Sequence, residues 1–165
     1  MDAFITHCWD EPFDDFVQSI QKVFQTSLTK QNLWICAVVL TQGISDDFMW
    51  EQIGIDGQFG VEASPFVLAL RATKQLVVVR NSVTDLYTRI RCVCELLYAK
   101  KLGLVPRHTF VTGPNNVSSS RTSCLEAQAS NMDDKAQILK LLLAEHDYKE
   151  IDDFVNQFRS QDSPT

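Results

Sequence analysis

The segment Asp85–Ala99 carries the side chains that are best placed to do chemistry. Read as a helix at about 100° per residue, it gathers its large apolar side chains in a narrow arc that must face the sheet: Leu86, Ile90, Val93 and Leu97. Glu95 falls on the opposite side, beside Arg91 and Cys92, where mostly small neighbours leave room for a molecule to lie against the carboxylate. A simpler interpretation stays open, in which Glu95 is a solvated carboxylate paired with Arg91 at i, i+4.

Several widespread chemistries lack the motifs that they need. The chain contains no G-x-G-x-x-G, no Walker A sequence, no G-x-S-x-G and no H-E-x-x-H. Its 5 cysteines show no C-x-x-C spacing, which argues against a zinc site and favours free thiols in a reducing compartment. His7 lies at a predicted strand end, but a nucleophilic pair with Cys8 is disfavoured because neighbouring side chains on a strand point to opposite faces.

The elements that must position these residues alternate between strand and helix. Five strands are predicted, the last of them weak: Ala3–Cys8, Asn32–Leu40, Gln75–Arg80, His108–Thr112 and Cys124–Gln128. Helices are predicted from Phe13, over Ala63–Lys74, over Asp85–Leu102, from Asn131 and around Ile151–Phe158. This order predicts an α/β protein with a five-stranded parallel sheet and helices on both faces. The β→α loops then share the carboxyl edge of the sheet, where a site is expected.

Two loops at this edge carry tryptophans. Trp9 follows the first strand, and Trp50 lies in the long loop Thr41–Ser64. A loop of this length within a compact domain is usually functional or mobile. Two alternatives stay open for each side chain: Trp50 stacks on a base or a partner, or folds back onto the core, and Trp9 is a platform for a ring, or packs on the first helix.

Charge and composition narrow the classes of partner. The 15 basic and 21 acidic residues give a net charge of −6, so nucleic acid and anionic membranes are not expected as partners. With 45% hydrophobic residues, the chain can form one domain, which we expect over residues 1–160 with a tail over 161–165. The start of the chain does not resemble a signal peptide, and no segment is apolar enough to span a membrane, so a cytoplasmic location is expected.

Two motifs resemble those of Toll/interleukin-1 receptor (TIR) domains. The sequence R-C-V-C-E-L over Arg91–Leu96 is similar to the W-C-x-x-E-L signature of the third helix in that family. Ala3–Trp9, followed by F-D-D-F-V over Phe13–Val17, resembles its first strand and helix. The opening, together with W-I-C at Trp34–Cys36, looks closest to divergent TIR-like domains of microbial eukaryotes. In length and element order, the resemblance covers roughly Met1–Ser160.

The resemblance implies a flavodoxin-like sheet with the strand order 2-1-3-4-5. It also implies one of two functions: cleavage of NAD at the nicotinamide–ribose bond, or homotypic assembly of signalling complexes through TIR–TIR contacts. In enzymatic members the glutamate of W-C-x-x-E is essential, and by motif position this residue is Glu95. Its carboxylate suits the reaction, since an anion stabilises the cationic ribose that forms when nicotinamide leaves. NAD would be a substrate, and no cofactor or metal is implied.

The remaining candidate residues would bind the substrate: His7, Trp9, Trp50, Arg91 and Cys92. Arg91 stands where the family has tryptophan, and it could form an ion pair with Glu95 or meet a substrate phosphate. The long loop Thr41–Ser64 corresponds to the loop that covers the site and drives TIR–TIR contact in the family. A third possibility is a nucleotide or sugar-phosphate binding protein that uses the same sheet edge.

Overall fold

The computed structural model describes residues 1–27, 29–35, 61–114, 121–129 and 131–161. Four strands are found within these ranges: β1 (Ala3–His7), β2 (Leu33–Ile35), β3 (Gln75–Val79) and β4 (Thr109–Thr112). Five α-helices accompany them in the same ranges: α1 (Phe13–Phe24), α2 (Pro65–Ala72), α3 (Ile90–Lys101), α4 (Met132–Glu145) and α5 (Tyr148–Gln161). Short 3₁₀ turns at Val61–Ala63 and Leu86–Thr88 precede α2 and α3.

All four strands are parallel and follow the order β2-β1-β3-β4. Because side chains alternate along a strand, β1, β2 and β3 each contribute to both layers of the core. The face covered by α1 includes Ala3, Ile5, Val77 and Val79. The opposite face, with Phe4, Leu76 and Val78, packs into one core with the other four helices. The result is an α/β protein with helices on both faces of the sheet, consistent with a flavodoxin-like arrangement.

The predicted fifth strand, Cys124–Gln128, is wrong. Residues 124–126 form a turn, in which the amide of Ala127 donates to the carbonyl oxygen of Cys124 at 3.3 Å. Gln128 makes a single parallel bridge with Arg89, in the segment that precedes α3, rather than pairing with β4. The segment is too short and too tightly turned to extend the sheet, and it instead fastens the start of α3.

Helix α3 is covered on almost every side. All residues from Cys92 to Ala99 are buried, because the sheet lies against one side of the helix and α4 and α5 pack on it from others. The helix predicted over Asp85–Leu102 begins later, at Ile90. Asp85 caps the preceding 3₁₀ turn, and Arg89 has the extended backbone that its bridge to Gln128 requires. The predicted C-terminal stop is confirmed by Gly103, whose positive φ of 77° follows the last turn.

Other predicted elements agree with the structure where it describes them. Residues 36–40 of the predicted second strand and residues 41–60 of the predicted long loop lie outside the described residues. Helix α2 begins after Ser64, whose hydroxyl accepts a hydrogen bond from the amide of Val67. α5 extends to Gln161, and residues 162–165 are not described. None of the described helices has the length and apolar character needed to cross a bilayer.

Candidate functional site

A cavity of about 100 Å³ opens at the carboxyl end of β1, between the start of α3 and the start of α4. This is the edge of a parallel sheet at which β→α loops converge, and at which the sequence predicts a site. The cavity is lined by His7, Cys8, Trp9, Arg89, Arg91, Cys92, Glu95, Gln128, Ala129, Asn131 and Asp134.

Glu95 supplies a buried carboxyl group to this cavity. The residue is 7% exposed, and its Oε2 accepts a hydrogen bond from the hydroxyl of Thr6 on β1. The expected alternative, a solvated carboxylate on a helix face turned away from the sheet, is wrong. The amphipathic pattern fails here because nearly all of α3 is buried, and Glu95 reaches the sheet itself at the end of β1 rather than facing away from it.

Burial raises the pKa of Glu95 from 4.5 to about 7, because a carboxylate inside the protein loses its hydration. The hydroxyl of Thr6, and then the positive charges of His7 and Arg91, favour the ionised form and limit the rise. At neutral pH the carboxyl group is therefore divided between its protonated and ionised forms, so a modest change in its surroundings decides which form dominates.

Arg91 does not use Glu95 as its hydrogen-bonding partner. Its Nε lies 2.8 Å from Oδ2 of Asp134, in the first turn of α4. The guanidinium also lies over the indole ring of Trp9, 5.9 Å from the ring centroid. Trp9 is 43% exposed and Arg91 is partly exposed, which places both at the mouth of the cavity. Of the two alternatives for Arg91, the ion pair with Glu95 is replaced by one with Asp134, and the carboxylate of Glu95 stays turned toward β1.

Asp134 is the second carboxylate of the cavity. It is 4% exposed, and while Oδ2 bonds Arg91, Oδ1 is buried with no hydrogen-bond partner among the described residues. Asn131 caps α4 by accepting a hydrogen bond from the amide of Asp133, and this cap holds the first turn of the helix at the cavity. The sequence analysis did not identify Asp134.

His7 lines the cavity but directs its ring toward α1. The ring packs against Phe16 at 4.8 Å, and Nδ1 lies 2.5 Å from Oε1 of Glu11. Burial raises the pKa of Glu11, and the bond to His7 opposes that rise. Since the side chain of Thr6, and not that of His7, reaches Glu95 from β1, His7 meets α3 through its carbonyl oxygen, which accepts from the Sγ of Cys92.

Cys92 forms part of the cavity wall. Its Sγ donates to the carbonyl oxygen of His7 at 3.4 Å. Burial raises the pKa of the Cys92 thiol well above its usual value, and the charge of Glu95 raises it further. The thiol stays protonated at neutral pH, so Cys92 and its neighbour Cys8, whose pKa is raised by burial as well, are not activated nucleophiles.

Five of the six predicted site residues line the same cavity: His7, Trp9, Arg91, Cys92 and Glu95. The sixth, Trp50, lies outside the described residues. The sequence analysis missed the hydroxyl of Thr6 and the carboxylate of Asp134, which lie 89 and 43 positions from the residues that they bond. Across the described ranges, no three His, Cys, Asp or Glu side chains are grouped so that they could hold a metal ion.

No protein-family model matches the chain, and no curated protein or solved structure shows significant similarity to it. An assignment of function must therefore be argued from the cavity and from the sequence motifs that supply its residues.

Proposed function

We propose that this chain is a TIR-like signalling domain that hydrolyses NAD at the nicotinamide–ribose bond, with Glu95 as the catalytic residue. The observation that carries the proposal is a buried carboxyl group at a cavity on the carboxyl edge of a parallel sheet. The same glutamate occupies the essential position of the R-C-V-C-E-L motif. Structure and motif thus point independently to one side chain.

The chemistry requires an anion beside the bond that breaks. The electron pair of the glycosidic C–N bond moves to the ring nitrogen, which neutralises the pyridinium and leaves positive charge on the ribose. An ionised Glu95 stabilises that charge most strongly inside a cavity from which water is largely excluded. Water then bonds to the anomeric carbon and loses a proton, which gives nicotinamide and ADP-ribose.

The size of the cavity suits one ring rather than a whole dinucleotide. An engineered protein cavity of about 150 Å³ holds a benzene molecule, and the cavity beside Glu95 measures about 100 Å³ and is partly open. The nicotinamide end would enter, while the remainder of the molecule would extend across the mouth, past Trp9 and Arg91. In that position Trp9 offers an exposed ring for stacking.

Release of nicotinamide from NAD tests the proposal directly. The full chain is incubated with NAD over a range of protein concentrations, because a site completed by self-association would be active only at the higher ones. Glu95→Gln keeps the size and the acceptor oxygen but removes the charge, and should lower kcat by about 100-fold or more. Glu126→Gln is the matched control, since Glu126 is exposed and does not line the cavity.

The proposal fails if the wild-type chain releases no nicotinamide at any concentration. It also fails if Glu95→Gln and Glu126→Gln release nicotinamide at the same rate.

A second candidate is a non-catalytic module that assembles with copies of itself. It is favoured by three exposed apolar side chains on loops and helix starts at the carboxyl edge: Trp9, Phe13 and Val83, which are 43%, 76% and 63% exposed. Exposed apolar groups near one another are typical of interaction surfaces. Sedimentation of the wild type against Phe13→Ser distinguishes the candidates: self-association lost in the variant, without NAD cleavage in either, favours the module.

A further inference from the structure

We propose that Asp134 is a specificity-determining residue, whose Oδ1 accepts a hydrogen bond from the carboxamide of the nicotinamide ring. The inference rests on the proposed function, since it assigns to that substrate a contact with the second carboxylate of the cavity. It concerns binding rather than bond cleavage, so the two proposals can fail separately.

The geometry of Asp134 calls for a donor in the cavity. The residue lines the cavity and is 4% exposed, yet Oδ1 has no hydrogen-bond partner in the described ranges. A buried acceptor without a partner is costly, so such atoms usually meet a water molecule or a ligand. Its other oxygen is fixed by Arg91 at 2.8 Å, which holds the carboxylate in one orientation.

An anionic ligand does not fit this position. The first turn of α4 already carries Asp133 and Asp134, which complement the positive end of the helix dipole. Arg91 is engaged by Asp134, and the neighbouring Arg89 lies 3.2 Å from Asp10. A phosphate placed deep in the cavity would therefore meet a carboxylate before it met an available cation.

A cationic ring with a single amide fits better. Glu95 lies one helical turn beyond Arg91 on α3, and Asp134 reaches Arg91 from α4, so the two carboxylates approach the cavity from different helices. A pyridinium ring between them would be attracted to both. Its carboxamide NH₂ is the only hydrogen-bond donor on the ring, and Asp134 Oδ1 is the acceptor without a partner.

The test compares two dinucleotides that differ only at this group. NAD carries the carboxamide, whereas nicotinic acid adenine dinucleotide carries a carboxylate that would face Asp134. Binding of each is measured by titration calorimetry on the full chain in the Glu95→Gln background, in which cleavage does not interfere. A site that hydrogen-bonds an amide should prefer NAD by about tenfold or more.

Asp134→Asn should reduce or reverse that preference by at least about tenfold, because the asparagine amide can donate to the acid. Asp133→Asn is the matched control: it removes the same charge from the same turn, at an exposed position that does not line the cavity. The ratio of two affinities is insensitive to a general loss of folded protein, which would lower both equally.

The inference would be overturned if the ratio of the affinity for NAD to that for nicotinic acid adenine dinucleotide were equal in Asp134→Asn and Asp133→Asn. It would also be overturned if neither dinucleotide bound. If nicotinamide is released but the ratios are equal, the role of Asp134 fails while the proposed function stands. If the ratio shifts but wild type releases no nicotinamide, the cleavage proposal fails and the binding contact stands.

Discussion

Among the described residues, two arginine–aspartate pairs whose aspartate side chain is at most 10% exposed join the C-terminal helices to the rest of the molecule. They differ in how many oxygens of the aspartate have a hydrogen-bond partner. Arg159 of α5 bonds Asp85, whose other oxygen accepts from the amide of Tyr87 at 3.1 Å. Both of those side chains are at most 10% exposed. Arg91 of α3 bonds Asp134 of α4, but Oδ1 of that carboxylate has no partner among the residues that the structure describes.

The difference separates a structural pair from one that is available to a ligand. Each oxygen of Asp85 has a partner within the protein, so this carboxylate fixes α5 against the start of α3. Asp134 lines a cavity and keeps one acceptor unused. An arginine–aspartate pair thus stabilises the fold at Asp85, whereas at Asp134 it leaves one oxygen able to accept a hydrogen bond from a ligand. The two positions differ because only Asp134 lines the cavity.

The largest effect is expected from breaking the structural pair. Arg159→Met should lower the free energy of unfolding by about 3 kcal/mol or more, because it leaves Asp85 buried with an uncompensated charge. Urea denaturation at pH 7 measures the loss. Under the proposed function, nicotinamide release per folded molecule should not change. A variant as stable as wild type would show that the pair is not structural.

Glu95→Gln should stabilise the chain at high pH. The folded chain holds the proton of Glu95 more tightly than the unfolded chain does, so stability falls as pH rises from 4.5 to about 7 and stays lower above it. That range corresponds to about 3 kcal/mol. In urea denaturation, the free energy of unfolding of Glu95→Gln should exceed that of wild type by this amount at pH 8 and by almost nothing at pH 4.5. Equal gains at the two pH values would contradict the assignment.

Thr6→Val removes the hydroxyl that donates to Glu95 and should cost about 1–2 kcal/mol. Without that donor, the pKa of Glu95 should rise further above its wild-type value. If the ionised form acts on NAD, kcat/KM increases with pH through about 7 in the wild type. In Thr6→Val the midpoint should move to higher pH, and Thr6→Ser should restore it. An unchanged midpoint would mean that the hydroxyl does not tune the carboxylate.

The smallest effect is expected at the pair beside the cavity. Arg91→Met should cost about 1 kcal/mol, because Arg91 is partly exposed and water can enter to solvate Asp134. Urea unfolding measured alongside Arg159→Met gives the comparison directly. A loss as large as that of Arg159→Met would indicate that the cavity does not let water solvate Asp134, and would remove the distinction between the two pairs.

Local patterns predicted most of the fold and part of the site. Strand and helix periodicities placed β1, β3, β4 and the five helices, because these patterns depend on neighbours in sequence. The prediction of a weak fifth strand was wrong because Cys124–Gln128 begins with a turn. Its last residue then bonds to the segment before α3 in a single bridge instead of pairing with the sheet. The environment of Glu95 was also mispredicted, since a period of 3.6 residues does not reveal that a side chain outside the apolar arc still reaches β1 and is buried there.

The contacts in the site between residues far apart in sequence could not be predicted from local patterns. Thr6 and Asp134 have ordinary local contexts, a strand end and a helix start, and their importance appears only when the chain brings them to α3. The one available signal for Thr6 was its position near the end of β1. Its hydroxyl lies two residues before the loop that follows the strand, on the face opposite that of His7. Locally, Asp134 is only the acidic residue three positions after the N-cap Asn131, a pattern that predicts a helix start and not a site.

The bonds of Glu95 and Arg91, to partners 89 and 43 positions away, tie the site to the completion of folding. Contacts across such separations close long loops, so we expect them to form after the local turns of the helices. If the chain hydrolyses NAD as proposed, a chain refolding from denaturant should recover its helical circular dichroism before it releases nicotinamide. Under the same proposal, partly folded molecules would leave NAD intact.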